Sequence, residues 1–403
     1  AVALGVSSVC AILPVMNLDV AVLTGCQRIF SGISVFSLLA IPFFILAGNL
    51  MARGITQKLI GVANVLLGRV RGALGSVTVL ASALFGAISG SAVATVAAIG
   101  GMTIPAMKDE GYDPDYSAAL SSAASLLGPM IPPSITLIVY AGLTEASVQK
   151  LFLATLTPAI LCTVAFLAYT LWYGKKNNLP KQPKKTAKEA GRIMLDAIWA
   201  LLLPVIVLGL IFSGATTVTE AAAVSCLYSA VVSLFIYKTI TFKDLMKILG
   251  DSAVSIAAIM ILVGMSKATA YVVISSQMPQ LFMDFVTSIT SSRFVVLLII
   301  NVIFLILGCL MEGNCIIVMM VPLLLTLVKS FGIDLLQFGV MSAINIYIGC
   351  ITPPVGVSLL LGCKLGKTSV GGTFKAILPF LGISMVILIL VTYWPSFTLW
   401  LIH

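Results

Sequence analysis

Gly128-Pro129-Met130-Ile131-Pro132-Pro133-Ser134 breaks a segment, roughly 117–141, whose apolar composition otherwise suits a bilayer crossing. Proline removes a backbone donor and restricts the residue before it, so two in succession cannot continue a helix. The same break recurs as Gly349-Cys350-Ile351-Thr352-Pro353-Pro354-Val355, with Gly128 and Gly349, Pro132 and Pro353, and Pro133 and Pro354 each 221 residues apart. At membrane depth an unwound backbone is tolerated where it is buried in protein or lines a cavity, and its carbonyls and helix ends can then hold ions or anionic groups. Single kinks are ordinary in membrane helices; a kink repeated at a fixed spacing points to a binding site.

Around these breaks the chain has 403 residues, 60% hydrophobic and 9% charged, with a mean hydropathy of +1.15. A water-soluble protein of that length needs far more polar surface, so the chain reads as an all-α polytopic membrane protein with roughly ten to twelve crossings. Its net charge of +9 lies in short connections between apolar runs, which marks topology in a lipid bilayer and not a nucleic-acid partner. The eight cysteines include no C-x-x-C pair and read as small buried hydrophobes. The one histidine is His403, which leaves no histidine-based catalytic or metal centre. No nucleophile–base pair, HExxH or P-loop is present, so neither an enzyme nor an organic cofactor is expected. The chain opens at Ala1 inside an apolar run with no basic region before it; a signal peptide is not expected, and residues 1–16, short for a crossing, suggest that further N-terminal residues precede them.

In chain order the expected elements are an interfacial helix at 20–31, a crossing at 34–52, an interfacial helix at 55–69, and an apolar stretch at 72–107 split by Ser89-Gly90-Ser91. Two short helices meeting at a small-residue tip make the last a re-entrant hairpin, with two tightly joined spans as the alternative. The first broken segment, 116–141, leads to a crossing at 149–173 and a polar linker at 174–192. Lys175, Lys176, Lys181, Lys184, Lys185, Lys188 and Arg192 against Glu189 place that linker in the cytoplasm. The second half reads as crossings at 193–212 and 218–237, an amphipathic helix at 240–250, a crossing at 253–274 and an interfacial helix at 276–290. A second hairpin at 294–328, split by Glu312-Gly313-Asn314, the broken segment 335–363 and a crossing at 376–400 complete it.

The 221-residue shift also lays Lys108, Gly111 and Asp113 on Lys329, Gly332 and Asp334, and Pro158 on Pro379, while the hairpin tips match only across a two-residue gap. With the linker inside, Arg69, Arg71, Lys108, Lys238, Lys243, Lys247, Lys364, Lys367 and Lys375 fall on one side, and Arg293 and Lys329 are the exceptions. An odd number of crossings per unit inverts one repeat against the other, as alternating access requires. The expected architecture is an inverted-repeat transporter with two re-entrant hairpins and two discontinuous helices, driven by an ion gradient or a partner since no nucleotide site exists.

At the first tip, Ser89, Gly90 and Ser91 with the backbone near Gly128, Ile131 and Pro132 offer the about five or six neutral oxygens that suit Na⁺. At the second, Glu312, Gly313, Gly349 and Thr352 are the counterparts, and Asn314 is a candidate solute contact. Asn49, Thr95, Ser125 and Asn345 are polar residues on apolar segments, read as further solute contacts or as interhelical glue. Lys267, midway along a crossing, must snorkel, pair or face a cavity, where it would neutralise a solute carboxylate or Glu312.

Gln27-Arg28-Ile29-Phe30-Ser31-Gly32, the run 41–51 (IPFFILAGNLM), Ile88-Ser89-Gly90-Ser91, Ile104-Pro105-Ala106-Met107, 128–134, Thr219-Glu220-Ala221-Ala222-Ala223 and 351–356 (ITPPVG) together carry a family resemblance. Over essentially its entire length the chain resembles the large membrane subunit of tripartite ATP-independent periplasmic (TRAP) transporters. The resemblance implies Na⁺-coupled secondary import of an organic acid across a bacterial inner membrane, with a small four-helix membrane subunit (Q-type) and a periplasmic substrate-binding protein (P-type) as partners. It implies an elevator mechanism in which residues 72–148 and 294–375 move as a transport domain against a scaffold of 1–71, 149–293 and 376–403. It carries sodium sites to Ser89-Gly90-Ser91 with 128–133, and to Glu312-Gly313-Asn314 with 349–354. Many members place an acidic residue where this chain has Thr95 and an aspartate where it has Glu312; these departures lean towards the sialic-acid type over the C4-dicarboxylate type. A stand-alone sodium/dicarboxylate symporter, which shares hairpins and inverted repeats, is the rival reading.

Overall fold

The computed structural model describes residues 2–12, 17–182 and 186–402, so Lys184 and Lys185 of the linker lie outside the described residues. Every regular element among them is helical. Helices α1 (Val2–Ile12), α2 (Leu18–Ile33) and α3 (Ala40–Leu67) lead to the first hairpin, built from α4 (Ala73–Ser89) and an arm formed by α5 (Ala92–Thr95), a π turn (Val96–Gly100) and α6 (Gly101–Asp109). The first broken helix is α7 (Pro114–Ala124), α8 (Leu127–Met130) and α9 (Ile135–Thr144), bent by 42° at its break. Then come α10 (Val148–Lys176), α11 (Ala187–Phe212), α12 (Val218–Val231), α13 (Phe242–Ser275) and α14 (Met278–Ile289). Helices α15 (Arg293–Leu310) and α16 (Gly313–Ser330) form the second hairpin, α17 (Leu335–Cys350) and α18 (Val357–Gly366) the second broken helix, and α19 (Val370–Tyr393) and α20 (Pro395–Leu399) close the chain.

Local chemistry sets the breaks. Asp113 caps α7 by accepting from Tyr116 N at 2.8 Å, with Pro114 at the first helical position where its missing N–H costs nothing. Its repeat mate Asp334 caps α17 through Leu336 N at 2.8 Å and Gln337 N at 3.0 Å. Both double prolines carry a cis bond, Pro132–Pro133 and Pro353–Pro354.

Some expected boundaries are corrected. The crossing at 34–52 and the interfacial helix at 55–69 are one helix, α3, while α2 turns by 62° into the start of that crossing. In the second half the reverse holds: 240–250 and 253–274 fuse into the 34-residue α13, and the chain breaks after it instead. Gln277 in the left-handed region with Pro279 next to the start of α14 makes that second break, and the matching stretch near Thr56 has no proline. The linker is shorter than 174–192, because Thr186 and Glu189 form a capping box that starts α11 at once. Seven described helices are long and apolar enough to cross a membrane, or nine if each of two bent pairs counts as one span, below the expected number. The 17-residue α4, 16-residue α17 and 10-residue α18 are too short for it.

The connections around Arg71, Lys108, Asn178 and Gly366 meet at one face. Arg71 Nη1 donates to Asn178 Oδ1 at 2.6 Å, Gly72 N to Pro180 O at 3.2 Å and Lys108 Nζ to Gly366 O at 3.0 Å. Thr373 Oγ1 donates to Asp115 Oδ1 at 3.1 Å, and Gln182 donates to Glu110. Away from that face the broken helices form the core: 116–124 of α7 and 337–350 of α17 are buried without interruption, whereas only 28% of the apolar windows of α11 and α13 is covered. Helix α10 packs on the hairpin and broken-helix core through Tyr173 stacked on Tyr116 (3.5 Å between centroids) and Ser76 bonded to Thr170 (3.1 Å), and α19 through Phe380 against Tyr116 (6.1 Å), while Phe166 edge-on to Phe380 (5.3 Å) joins α10 to α19.

Candidate functional site

At the first tip α4 ends on Gly90, in the left-handed region with φ +60°, where its N–H reaches Gly86 O at 2.9 Å. Ser91 then starts the second arm, its Oγ accepting from Ala94 N at 3.4 Å, and Thr95 Oγ1 donates to Ser91 O at 2.7 Å. The first broken helix lies directly against this turn. A Cβ on Gly128 would sit 2.7 Å from Thr95 Oγ1 and 2.9 Å from Ser91 O, and a Cβ on Gly90 would collide with the Pro133 carbonyl. Ser91, Thr95, Gly128 and the Pro133 carbonyl therefore form one oxygen-rich knot, made possible by the absent side chains.

The second tip repeats the approach with different letters. A Cβ on Gly86 would lie 2.5 Å from Gly128 Cα, and one on Gly349 would lie 2.5 Å from Gly308 Cα, so each hairpin crosses its broken helix at a glycine pair. The amides of Val355 and Gly356 donate to Cys309 O at 3.1 and 3.3 Å. Glu312 is the N-cap of α16: Oε2 accepts from Asn314 N at 3.0 Å and Cys315 N at 3.4 Å, and Oε1 from Asn314 Nδ2 at 2.9 Å. A carboxylate there is stabilised by free helix N–H groups and the helix dipole. Asn314 Oδ1 accepts from Thr136 Oγ1 at 2.9 Å, and Thr136 in turn bonds the Tyr347 hydroxyl, which ties the second tip to both broken helices.

Between the tips lies a cavity of about 220 Å³, lined by Ser91, Thr136, Glu312, Asn314, Tyr347 and Ser358 and closed by Ile259 of α13. The buried Ser358 Oγ has no hydrogen-bond partner among the described residues. A second space of about 540 Å³ shares Ser91, Val93, Ile135 and Ile259 with the first and extends between the first hairpin and Asn49 of α3 and Ser255 of α13. Neither is lined by arginine or lysine.

The expected site residues divide accordingly. Ser89, Gly90, Ser91, Thr95, Gly128, Glu312, Gly313 and Asn314 come together around the two tips, with Gly349 behind the second, and Asn49 faces the larger space while donating to Ser252 Oγ at 2.9 Å. Thr352 Oγ1 donates to Ile348 O at 2.8 Å beside the second break, and Ile131 and Pro132 flank the first. Ser125 is buried and bonded to Ser122 O at 2.6 Å, away from the cavities. Asn345 Nδ2 on α17 donates to Asn301 O and Oδ1 on α15, both at 2.8 Å, and lines neither cavity at the tips. Lys267 does not meet Glu312; it lines a separate cleft with Arg28. Thr136, Tyr347 and Ser358 were not anticipated, although each is a polar residue on an apolar helix within a few positions of a double proline, a signal that would have found them.

The described residues contain no group of three or more histidine, cysteine or carboxylate side chains able to hold a metal ion. The family description "Tripartite ATP-independent periplasmic transporter, DctM component" matches residues 1–397. The chain is 36% identical to the sialic acid TRAP transporter large permease SiaM of Vibrio cholerae, over 93% of this chain and 88% of that one. It is 39% identical to the C4-dicarboxylate TRAP transporter large permease DctM of Pseudomonas aeruginosa, over 92% and 87%. Its fold is similar to that of the YdaH transporter of Alcanivorax borkumensis, with a TM-score of 0.67 at 15% identity over 92% of this chain and 87% of that one. With its inverted hairpins meeting at one cavity and this match along nearly all its length, the chain belongs to the DctM component family of TRAP transporters, the large permeases, and is a transporter subunit, not an enzyme.

Proposed function

We propose that this chain is the transport subunit of a sodium-coupled importer of an organic acid in a bacterial inner membrane, with the basic face cytoplasmic. The observation that carries the reading is the cavity between the two tips, where Thr136, Asn314, Tyr347 and the Ser358 hydroxyl, without a partner among the described residues, offer hydrogen-bonding groups. Sodium ions held at the Ser89-Gly90-Ser91 knot and beside Glu312 would supply the positive charge that these walls lack. Because Glu312 and no arginine or lysine lines the cavity, a hydroxylated monocarboxylate suits it better than a dicarboxylate, which would bring two negative charges to walls that hold a carboxylate and no cationic side chain. This favours a solute of the sialic-acid type.

The hairpins and broken helices would move together in an elevator-like step. Their packing with α10 and α19 supports carrying those two helices in the moving unit, in place of the scaffold role expected for 149–173 and 376–400. The exposed faces of α11 and α13 are then free for lipid and a small Q-type subunit, and a P-type periplasmic protein would deliver the solute. Uptake of labelled organic acids by the full complex in proteoliposomes, with and without a sodium gradient and with and without the binding protein, tests this. Uptake by the membrane part alone, at full rate, points to a stand-alone symporter, and uptake indifferent to sodium removes the coupling.

A further inference from the structure

We propose that the cleft between α2, α13, α14 and α16 is a second anion site, which takes the carboxylate of the incoming solute on Arg28 and Lys267 before the solute reaches the central cavity. The proposal rests on the import reading above. The cleft has a volume of about 790 Å³, larger than either space at the tips, and both cations line it. The Arg28 guanidinium lies over the Tyr271 ring, 4.4 Å from its centroid, a cation–π contact that uses none of its N–H donors in a hydrogen bond. Neither side chain makes a hydrogen bond or ion pair among the described residues; Glu145 is the carboxylate whose charge reaches Lys267, from beyond ion-pair distance.

The lysine is also seated by design of its neighbour. A Cβ on Gly32 would lie 2.6 Å from Lys267 Cγ and 2.8 Å from its Cβ, so the bare glycine on α2 makes the groove along which the lysine stem runs. A half-buried cation on a membrane-crossing helix is costly without a partner. An anion arriving in the cleft would supply that partner, and a guanidinium and an ammonium lining one cleft make a receptor for a carboxylate.

Its place in the fold fits a first stop. The cleft lies at the C-terminal end of α13, opposite the basic loops, and Pro322, Leu325 and Thr326 of α16 form its wall. The same helix begins at the Glu312 tip, so one hairpin arm connects the cleft to the central cavity over about 20 Å at 1.5 Å per residue.

The test uses the full complex in right-side-out vesicles carrying Thr326→Cys, an exposed position, and a membrane-impermeant maleimide. Labelling is quantified by mass spectrometry on the peptide holding residue 326, apart from the exposed native Cys10 and Cys26. N-acetylneuraminate and succinate are the probes, and N-acetylneuraminate methyl ester is the uncharged control. Expected is labelling from outside, slowed about fivefold when one of the acids exceeds its Kd by about fourfold, and not slowed by the ester. The slowing is lost in Arg28→Gln and Lys267→Gln, kept in Lys267→Arg, which separates charge from folding, and kept in Asn314→Ala, which alters the central cavity. Absent labelling, equal slowing by the ester, or slowing that survives both glutamine substitutions overturns the site. Slowing by phosphatidylglycerol vesicles without any acid assigns the pair to lipid headgroups and overturns it too. Labelling needs no transport cycle, so failed uptake with intact protection counts against the import reading alone, and intact uptake without protection counts against this site alone.

Discussion

Gly128→Ala adds one methyl where the first broken helix meets the first hairpin tip. That methyl would sit 2.9 Å from Ser91 O and 2.7 Å from Thr95 Oγ1, whereas ordinary contact begins at 3.4 Å. The tip must therefore retreat by about 0.5 Å or more, and because Ser91 O belongs to the backbone no rotamer change can absorb it. Binding constellations tolerate displacements of only about 0.5 Å. Overpacking of this kind costs about 1–3 kcal/mol, and about 1.4 kcal/mol is tenfold in an equilibrium constant. Sodium half-saturation of uptake should consequently rise about tenfold, with a small fall in the melting temperature of the detergent-purified protein. Gly371→Ala, where an added Cβ meets nothing within 4 Å, is the control and should change neither. Adding Thr95→Ala to Gly128→Ala removes the hydroxyl obstruction but not the Ser91 carbonyl, so rescue should be partial. If Gly128→Ala matches Gly371→Ala in sodium dependence, the ion site does not lie at this knot and the reasoning from close approach fails.

Three further outcomes are expected. Thr136→Val, which cuts the link from Asn314 to Tyr347, should raise the solute KM about tenfold while leaving sodium activation within about twofold, since it removes both buried hydrogen bonds of that hydroxyl, together about 1–3 kcal/mol, near the solute and none at the first knot; titration of uptake against each species separates the two. Glu312→Ala should lower stability by about 1 kcal/mol through loss of the α16 cap, and Glu312→Gln by less; equal loss in both would mean that the charge and not the cap matters. At the basic face, burial raises the Glu110 carboxyl above its ordinary value, opposed by the Gln182 hydrogen bond. The raised value means that the protonated form is favoured in the fold, so this corner is most stable below the ordinary glutamate range and loses that contribution as pH rises through the shifted value. Glu110→Gln should flatten that part of the melting profile, and an unchanged slope would rule Glu110 out as its source.

Much of this protein was legible in its residues. The double prolines placed both helix breaks and the small-residue run at Ser89-Gly90-Ser91 placed the first tip, because each is decided by a few adjacent residues acting on their own backbone. The charge pattern likewise sorted loops that prove to meet at one face, as Lys108 with Gly366 and Arg71 with Asn178. What the residues could not decide was anything that depends on how distant helices are rotated against each other. Nothing local to α3 or α13 announces that a crossing and its neighbouring arm run on as one helix. Asn345 and Ser125 looked like Asn314, yet the rotation of their helices turns them into the protein interior while Asn314 meets Thr136 and Tyr347. Lys267 and Glu312 were both isolated charges on apolar segments, and packing sends them to separate cavities. The glycine crossings Gly86 with Gly128 and Gly308 with Gly349 were invisible for the same reason: a bare Cα is a local choice, but what fills the space beside it is set by a helix tens of residues away.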